Sequence, residues 1–281
     1  MKIKHCNSIQ QNSLSFSGGL NKKILKEISD TNVGLVSHNL LKDSIITDFQ
    51  GNKTVAWCCQ KVVTLIKEIN KKYGLSLTLP KGIFVRDFDG LNLAQTNMYG
   101  FCNMQPVKLL KNKDVYIPSR TLFFNSFEGE RFFKDKNFFN WENIDEISDF
   151  RFANKFAPTD YFLDIFFHEF AHVLHENHLI KTLGADITSK KLEQIEKLQK
   201  MGMYDQKYGI ELSKICKSAA SNPFESIACD ISKIMSENIN KDKMFFNSNP
   251  LKHSPYDDNY IHQFNTKLNN ILRNFWEGIF E

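Results

Sequence analysis

An α+β fold, with a small mixed sheet over one long helix and a helical C-terminal part, is what this sequence predicts, on three observations. First, from Thr54 to Tyr73 the stretch TVAWCCQKVVTLIKEINKKY carries apolar residues at helical spacing and stops at Gly74. Second, LSLTLPKGIFVRDF, LAQTNMYGFCNMQ and DVYIPSRTLFF follow in order, alternating or rich in β-branched and aromatic residues between turn signals, and read as three strands. Third, the chain then returns to helical patterns, beginning with PTDYFLDIFFHEFAHVLHENHL from Pro158 to Leu179.

Each element has its own grounds. Residues 1–20 are rich in Ser, Asn and Gln and end in Gly18-Gly19, so they read as a flexible lead-in outside the core. The Thr54–Tyr73 helix is expected to bury Val62, Leu65, Ile66 and Ile69. The segment from Asn125 to Asn154, dense in Phe, Lys and Asp, shows no clear period. In the Pro158–Leu179 helix, Thr159 or Asp160 is the expected N-cap, with aspartates in the first turn favoured by the helix dipole. Helices are expected at Lys190–Lys200 and Gly209–Ser218. Another opens at Asn222-Pro223 by the N-cap and N1 preferences, and an amphipathic one lies near Tyr260–Phe280. Residues 21–281 thus read as a single domain, with a mixed upper part at about 50–180 and a helical lower part at about 181–281.

Bulk properties exclude several classes of function. A 42% hydrophobic content suffices for a packed core. The net charge of +4 arises from 36 basic and 32 acidic residues spread along the chain, which leaves no basic stripe for nucleic acid. Apolar runs such as FLDIFF are far shorter than the roughly 20 residues that span a bilayer. After Lys2 and Lys4 the chain is polar where a Sec signal needs an apolar run, so a soluble protein is expected, cytoplasmic or exported without a cleaved signal. The six cysteines (Cys6, Cys58, Cys59, Cys102, Cys216, Cys229) form no CxxC pair and read as free thiols, Cys58-Cys59 as core packing.

The chemistry concentrates in His168-Glu169-Phe170-Ala171-His172. Residues four apart share a helix face about 6 Å apart along the axis, so His168 and His172 can offer two imidazole nitrogens to one cation. Glu169 is rotated about 100° from His168, too far to ligate but placed to take a proton from a water activated beside the cation. Two imidazoles and an adjacent carboxylate point to Zn2+ as cofactor, with a third protein ligand and an open position required.

Two residues compete for third ligand. His178 follows His172 by six residues, the spacing of the metzincin pattern HExxHxxGxxH, but His175 occupies the place of that pattern's glycine. On a continuous helix His178 would sit about 15 Å along the axis from His168. Glu225, in SNPFESIACDISKIM, lies at the edge of a stripe formed by Phe224, Ile227, Ala228, Ile231 and Ile234, where a carboxylate can face a neighbouring helix. Its other role would be cap partner of Asn222. Helix geometry favours Glu225, with His178 as the alternative. Asp164, one turn before His168, either accepts that histidine's second ring N–H or serves the helix dipole. His175 and His178 read as polar-face residues or as supports of the ligands.

An HExxH helix followed by a helix reading NPFESIACD resembles the glutamate-type zincin metallopeptidases, and among them the anthrax lethal factor-like peptidases. The resemblance covers roughly Thr54 to Glu237. It implies a zincin-like fold, His168, His172 and Glu225 as zinc ligands, and Glu169 as general base. The chain departs from the family at Cys229, where an acidic residue is usual, and at Ser218, where a tyrosine is. Tyr204, Tyr208, His253 and Tyr256 are the candidates for stabilising an oxyanion. The function so implied is zinc-dependent hydrolysis of internal peptide bonds in a protein or peptide substrate, paired with an edge strand at NMYGFCN or DVYIPSR. A secreted effector or toxin fits this reading by analogy. A zinc-binding protein with little turnover and a metal-free helical interaction module are the other classes.

Overall fold

A computed structural model describes residues 20, 22–74, 76–88, 98–103, 107–110, 113–128, 139–183, 216–220 and 223–240. The lead-in before Leu20, the expected helix Lys190–Lys200, most of Gly209–Ser218 and the expected C-terminal helix near Tyr260–Phe280 lie outside the described residues.

Two short helices, α1 (Lys22–Ser29) and α2 (Val33–Leu41), come first, then strand β1 (Ile46–Asp48) and helix α3 (Lys53–Tyr73). The α3 boundaries follow from its caps. Asn52 accepts the backbone N–H of Val55, and Gly74 closes the helix at φ 66°, a left-handed conformation natural to glycine. Its Val62 and Ile66 are fully buried and Ile69 nearly so, with Leu65 only partly covered; Cys58 and Cys59 are core residues. Burial pushes both thiols well up from the ordinary range, as expected of packing rather than reactive cysteines.

The sheet is small and mixed. β2 (Gly82–Arg86) lies parallel to β1 on one side and to β6 (Thr121–Asn125) on the other, and β3 (Gly100–Asn103) pairs antiparallel with β6 at its end. All five residues of β6 are buried, the pattern of a strand covered on both faces. β4 (Val107–Leu110) and β5 (Lys113–Ile117) form a separate antiparallel hairpin. The stretch expected as one strand, DVYIPSRTLFF, is therefore two, because Pro118 lacks a ladder donor and Arg120 adopts a left-handed φ of 61°. Asn103 fastens that corner, donating to the Pro118 carbonyl at 3.0 Å and accepting from the Thr121 N–H at 2.9 Å.

The unassigned Phe-rich segment contains a 3-10 turn at Trp141–Asn143 and helix α4 (Ile144–Ala153), and the Trp141 indole donates to the Asn125 carbonyl at 2.7 Å. Helix α5 (Asp164–Leu183) follows, then α6 (Pro223–Asn240), which starts where Asn222-Pro223 predicts. α5 begins later than expected: Thr159 and Asp160 stand in the loop before it, and the Thr159 hydroxyl donates to Asp164 at 3.2 Å.

α5 packs against α6 more extensively than against any other element, and buried Asp164 is the clasp between them. Its Oδ1 accepts the hydroxyls of Ser232 and, at 3.5 Å, Ser236, both on α6. Burial raises the Asp164 pKa, while Arg151 and the hydroxyls of Ser232 and Thr159 oppose the rise. Asp164→Ala leaves buried hydroxyls unmatched and is expected to cost about 1–3 kcal/mol of stability, read as a lower denaturation midpoint. Ser236→Ala, at the longest of these bonds, is expected to cost less.

Candidate metal centre

His168 and His172 stand on successive turns of α5, their rings 4.9 Å apart and nearly perpendicular at 89°. Both direct Nε2 at Glu225 in the first turn of α6, which meets His168 at 3.0 Å and His172 at 3.4 Å through its two carboxylate oxygens. One donor atom from each of the three lies within 4.8 Å of the others, and the group could hold a metal ion. Ligands about 2.0–2.1 Å from a tetrahedral zinc stand roughly 3.3 Å apart, and each histidine–glutamate contact, made through a different oxygen of Glu225, is close to that separation. Two imidazoles and one carboxylate are also a donor set zinc accepts.

The electrostatics favour a cation here. Burial works to raise the Glu225 pKa, but the charge and hydrogen bonds of the two imidazoles outweigh it and hold the carboxyl well below its usual range. Burial works to lower the His168 pKa, yet the Glu225 carboxylate overrides it and pushes the imidazole up to about 9. The field that retains a proton on His168 favours a cation among the three donors.

Glu169 lies beside this group, only 7% exposed. Burial raises its pKa against the opposing pull of both histidines, and its Oε2 has no hydrogen-bond partner among the described residues. Above it runs β3. A Cβ on Gly100 would meet Glu169 Cγ at 3.0 Å and Cδ at 3.2 Å, so a side chain there would push the Glu169 carboxylate away from the strand.

The two options for third ligand differ in the structure. Glu225 is brought to both histidines, whereas α5 continues unbroken through His178 to Leu183 and makes no turn back towards His168. The His178 side chain lies outside the described residues. His175 is not on a polar face: it is fully buried, its ring 5.2 Å from Phe224. Nor does Asp164 hydrogen-bond His168, whose Nδ1 instead faces Cys229 Sγ at 3.7 Å. Cys229 is one turn beyond Glu225, and its sulfur lies 3.2 Å from Cys216 Sγ.

Residues not singled out from sequence complete the surroundings. Buried Glu176, two turns beyond Glu169, has its pKa pushed up to about 7 by burial, against a hydrogen bond from Ser119 and the charges of Arg120 and Lys81. With Arg120, which donates to Asn177 at 3.2 Å, it ties the Pro118–Arg120 corner to α5. Arg151 on α4 adds a positive field felt by Asp164, His168 and Glu169. Tyr204, Tyr208, His253 and Tyr256 lie outside the described residues. No helix among the described residues is long and apolar enough to cross a membrane. No protein-family model matches the chain, and no curated protein or solved structure matches it.

Proposed function

We propose that this protein is a zinc-dependent metallopeptidase of the glutamate-type zincin kind that cleaves internal peptide bonds. The observation that carries the reading is the meeting of His168 Nε2, His172 Nε2 and the Glu225 carboxylate from two helices, with a buried carboxylate, Glu169, beside them. His168, His172 and Glu225 would hold the zinc, which supplies Lewis acidity towards a carbonyl and lowers the pKa of water. Glu169 takes the proton of the attacking water and passes it to the departing amine nitrogen. Its raised pKa brings it nearer the working pH, where general base and general acid steps balance.

An extended protein or peptide substrate would pair with β3, the last strand of the sheet among the described residues and the one that passes over Glu169. Of the two segments expected to offer an edge, NMYGFCN enters this sheet through Gly100–Asn103, whereas DVYIPSR contributes to the separate hairpin. The test is metal analysis together with cleavage of an unstructured protein. About one zinc per chain and cleavage that stops on chelation and returns with zinc support the reading; a stoichiometric zinc protein that cleaves no unfolded substrate contradicts it. Gly100→Ala is expected to lower turnover about tenfold or more at unchanged zinc content, because the new methyl displaces the Glu169 carboxylate.

A further inference from the structure

We propose that Cys216 and Cys229 are a redox modification site that controls the metal centre: oxidation to a Cys216–Cys229 disulfide withdraws the support of His168 and loosens the cation. The inference rests on the metal-centre reading and adds its regulation.

Three observations carry it. The two sulfurs already stand 3.2 Å apart, nearer than ordinary sulfur packing, and about 1.2 Å of approach completes an S–S bond of about 2.05 Å. Cys229 is also the side chain facing Nδ1 of His168, at 3.7 Å, on the ring edge opposite the nitrogen that points to Glu225. A metal-bound histidine is oriented by the partner of its second nitrogen, so Cys229 stands where that partner is required. Finally, the two cysteines come from different segments. Cys216 precedes the 3-10 turn Ser218–Ala220 and is held by the Ala219 N–H at 3.4 Å, whereas Cys229 rides on α6 with Glu225. A bond between them therefore tethers the helix carrying the third ligand.

Both thiols are buried, so the oxidant is a small one, a peroxide, rather than a bulky disulfide. The Cys216 sulfur attacks one peroxide oxygen; the O–O bond breaks, the thiol proton leaves with the departing oxygen as water, and Cys216 becomes a sulfenic acid. The Cys229 sulfur then attacks the Cys216 sulfur. The S–O bond breaks, and the released hydroxide takes the Cys229 proton as a second water. Two thiols are oxidised by two electrons, and one hydrogen peroxide is reduced to two waters. A dithiol reductant reverses the step. With Nε2 on the cation, the His168 proton sits on Nδ1 and the Cys229 sulfur is its acceptor. In the disulfide that sulfur is drawn towards Cys216 and is a poorer acceptor, so the Nδ1–H loses its support.

The test compares wild type and Cys216→Ser, each reduced and then treated with hydrogen peroxide, by peptide mass mapping and by zinc affinity against a chromophoric chelator. The expected result is a linked Cys216–Cys229 peptide in wild type and a zinc affinity lower by about 10-fold to 100-fold, restored by a dithiol. Cys216→Ser should bind zinc like the reduced wild type and keep its affinity under peroxide. Absence of the linked peptide, a linked peptide with unchanged affinity, or an equal loss in Cys216→Ser overturns the proposal while leaving the metal centre standing. Reduced wild type that binds no zinc overturns the metal-centre reading and this switch with it.

Discussion

Replacing Glu169 with glutamine is expected to lower peptide-bond turnover by about 10²- to 10⁴-fold while zinc content and fold stay as in wild type. The carboxylate is nearly isosteric with the amide, so packing under Gly100 survives, but the amide cannot take a proton. Nothing about Glu169 places it among the ligands: the donors that converge are His168, His172 and Glu225. Loss of turnover without loss of zinc, followed by single-turnover kinetics on an unstructured protein, is the signature of a proton-transfer role. A variant that keeps wild-type turnover would remove Glu169 as the base, and one that loses zinc would make it a ligand.

Glu225→Ala is the second large effect, and it acts on the cation itself. Zinc affinity is expected to fall by at least about a hundredfold, because one of the three converging donors is removed and both imidazoles lose the carboxylate they face. His178→Ala is expected to bind zinc like wild type, since α5 carries that residue onwards without a turn. The pH dependence follows from the same pairing. His168 is raised from 6.5 to about 9 by Glu225, so its pairing contributes stability fully below about 6.5 and loses it as pH rises through about 9. Glu225 is depressed, so its share is present above its ordinary value of 4.5 and is lost as pH falls. Zinc must displace the His168 proton, and wild-type affinity measured by competition should accordingly climb with pH towards about 9. In Glu225→Ala the climb should shift towards the ordinary histidine range.

The sequence showed local features well and tertiary ones poorly. α3 was legible because its period, Asn52 and Gly74 all act within the segment. The two histidines were legible for the same reason, as i and i+4 on one helix, and Glu225 because its stripe position left a carboxylate at a helix edge. The α5 start was misplaced: Thr159 is a plausible cap by type, but its hydroxyl goes to Asp164, whose other partners sit on α6. The break at Pro118 was hidden because both halves of DVYIPSRTLFF have strand composition. α1, α2 and β1 are too short for a periodic signal to stand out. The supports of the centre were beyond reach for a plainer reason. Gly100 over Glu169, Cys229 behind His168, Cys216 beside Cys229 and Glu176 under the Arg120 corner are each contacts between residues far apart in the chain. Their residue types alone, a glycine, two cysteines and a surface-looking glutamate, announce nothing until the fold brings them together.

X-ray absorption at the zinc edge of the reduced, zinc-loaded protein reads the ligand set itself. The expected result is light-atom ligands at about 2.0–2.1 Å, two of them imidazoles, and no sulfur. A sulfur shell at about 2.3 Å would place Cys216 or Cys229 on the metal, and a third imidazole would put a histidine in place of Glu225; either result contradicts the proposed set.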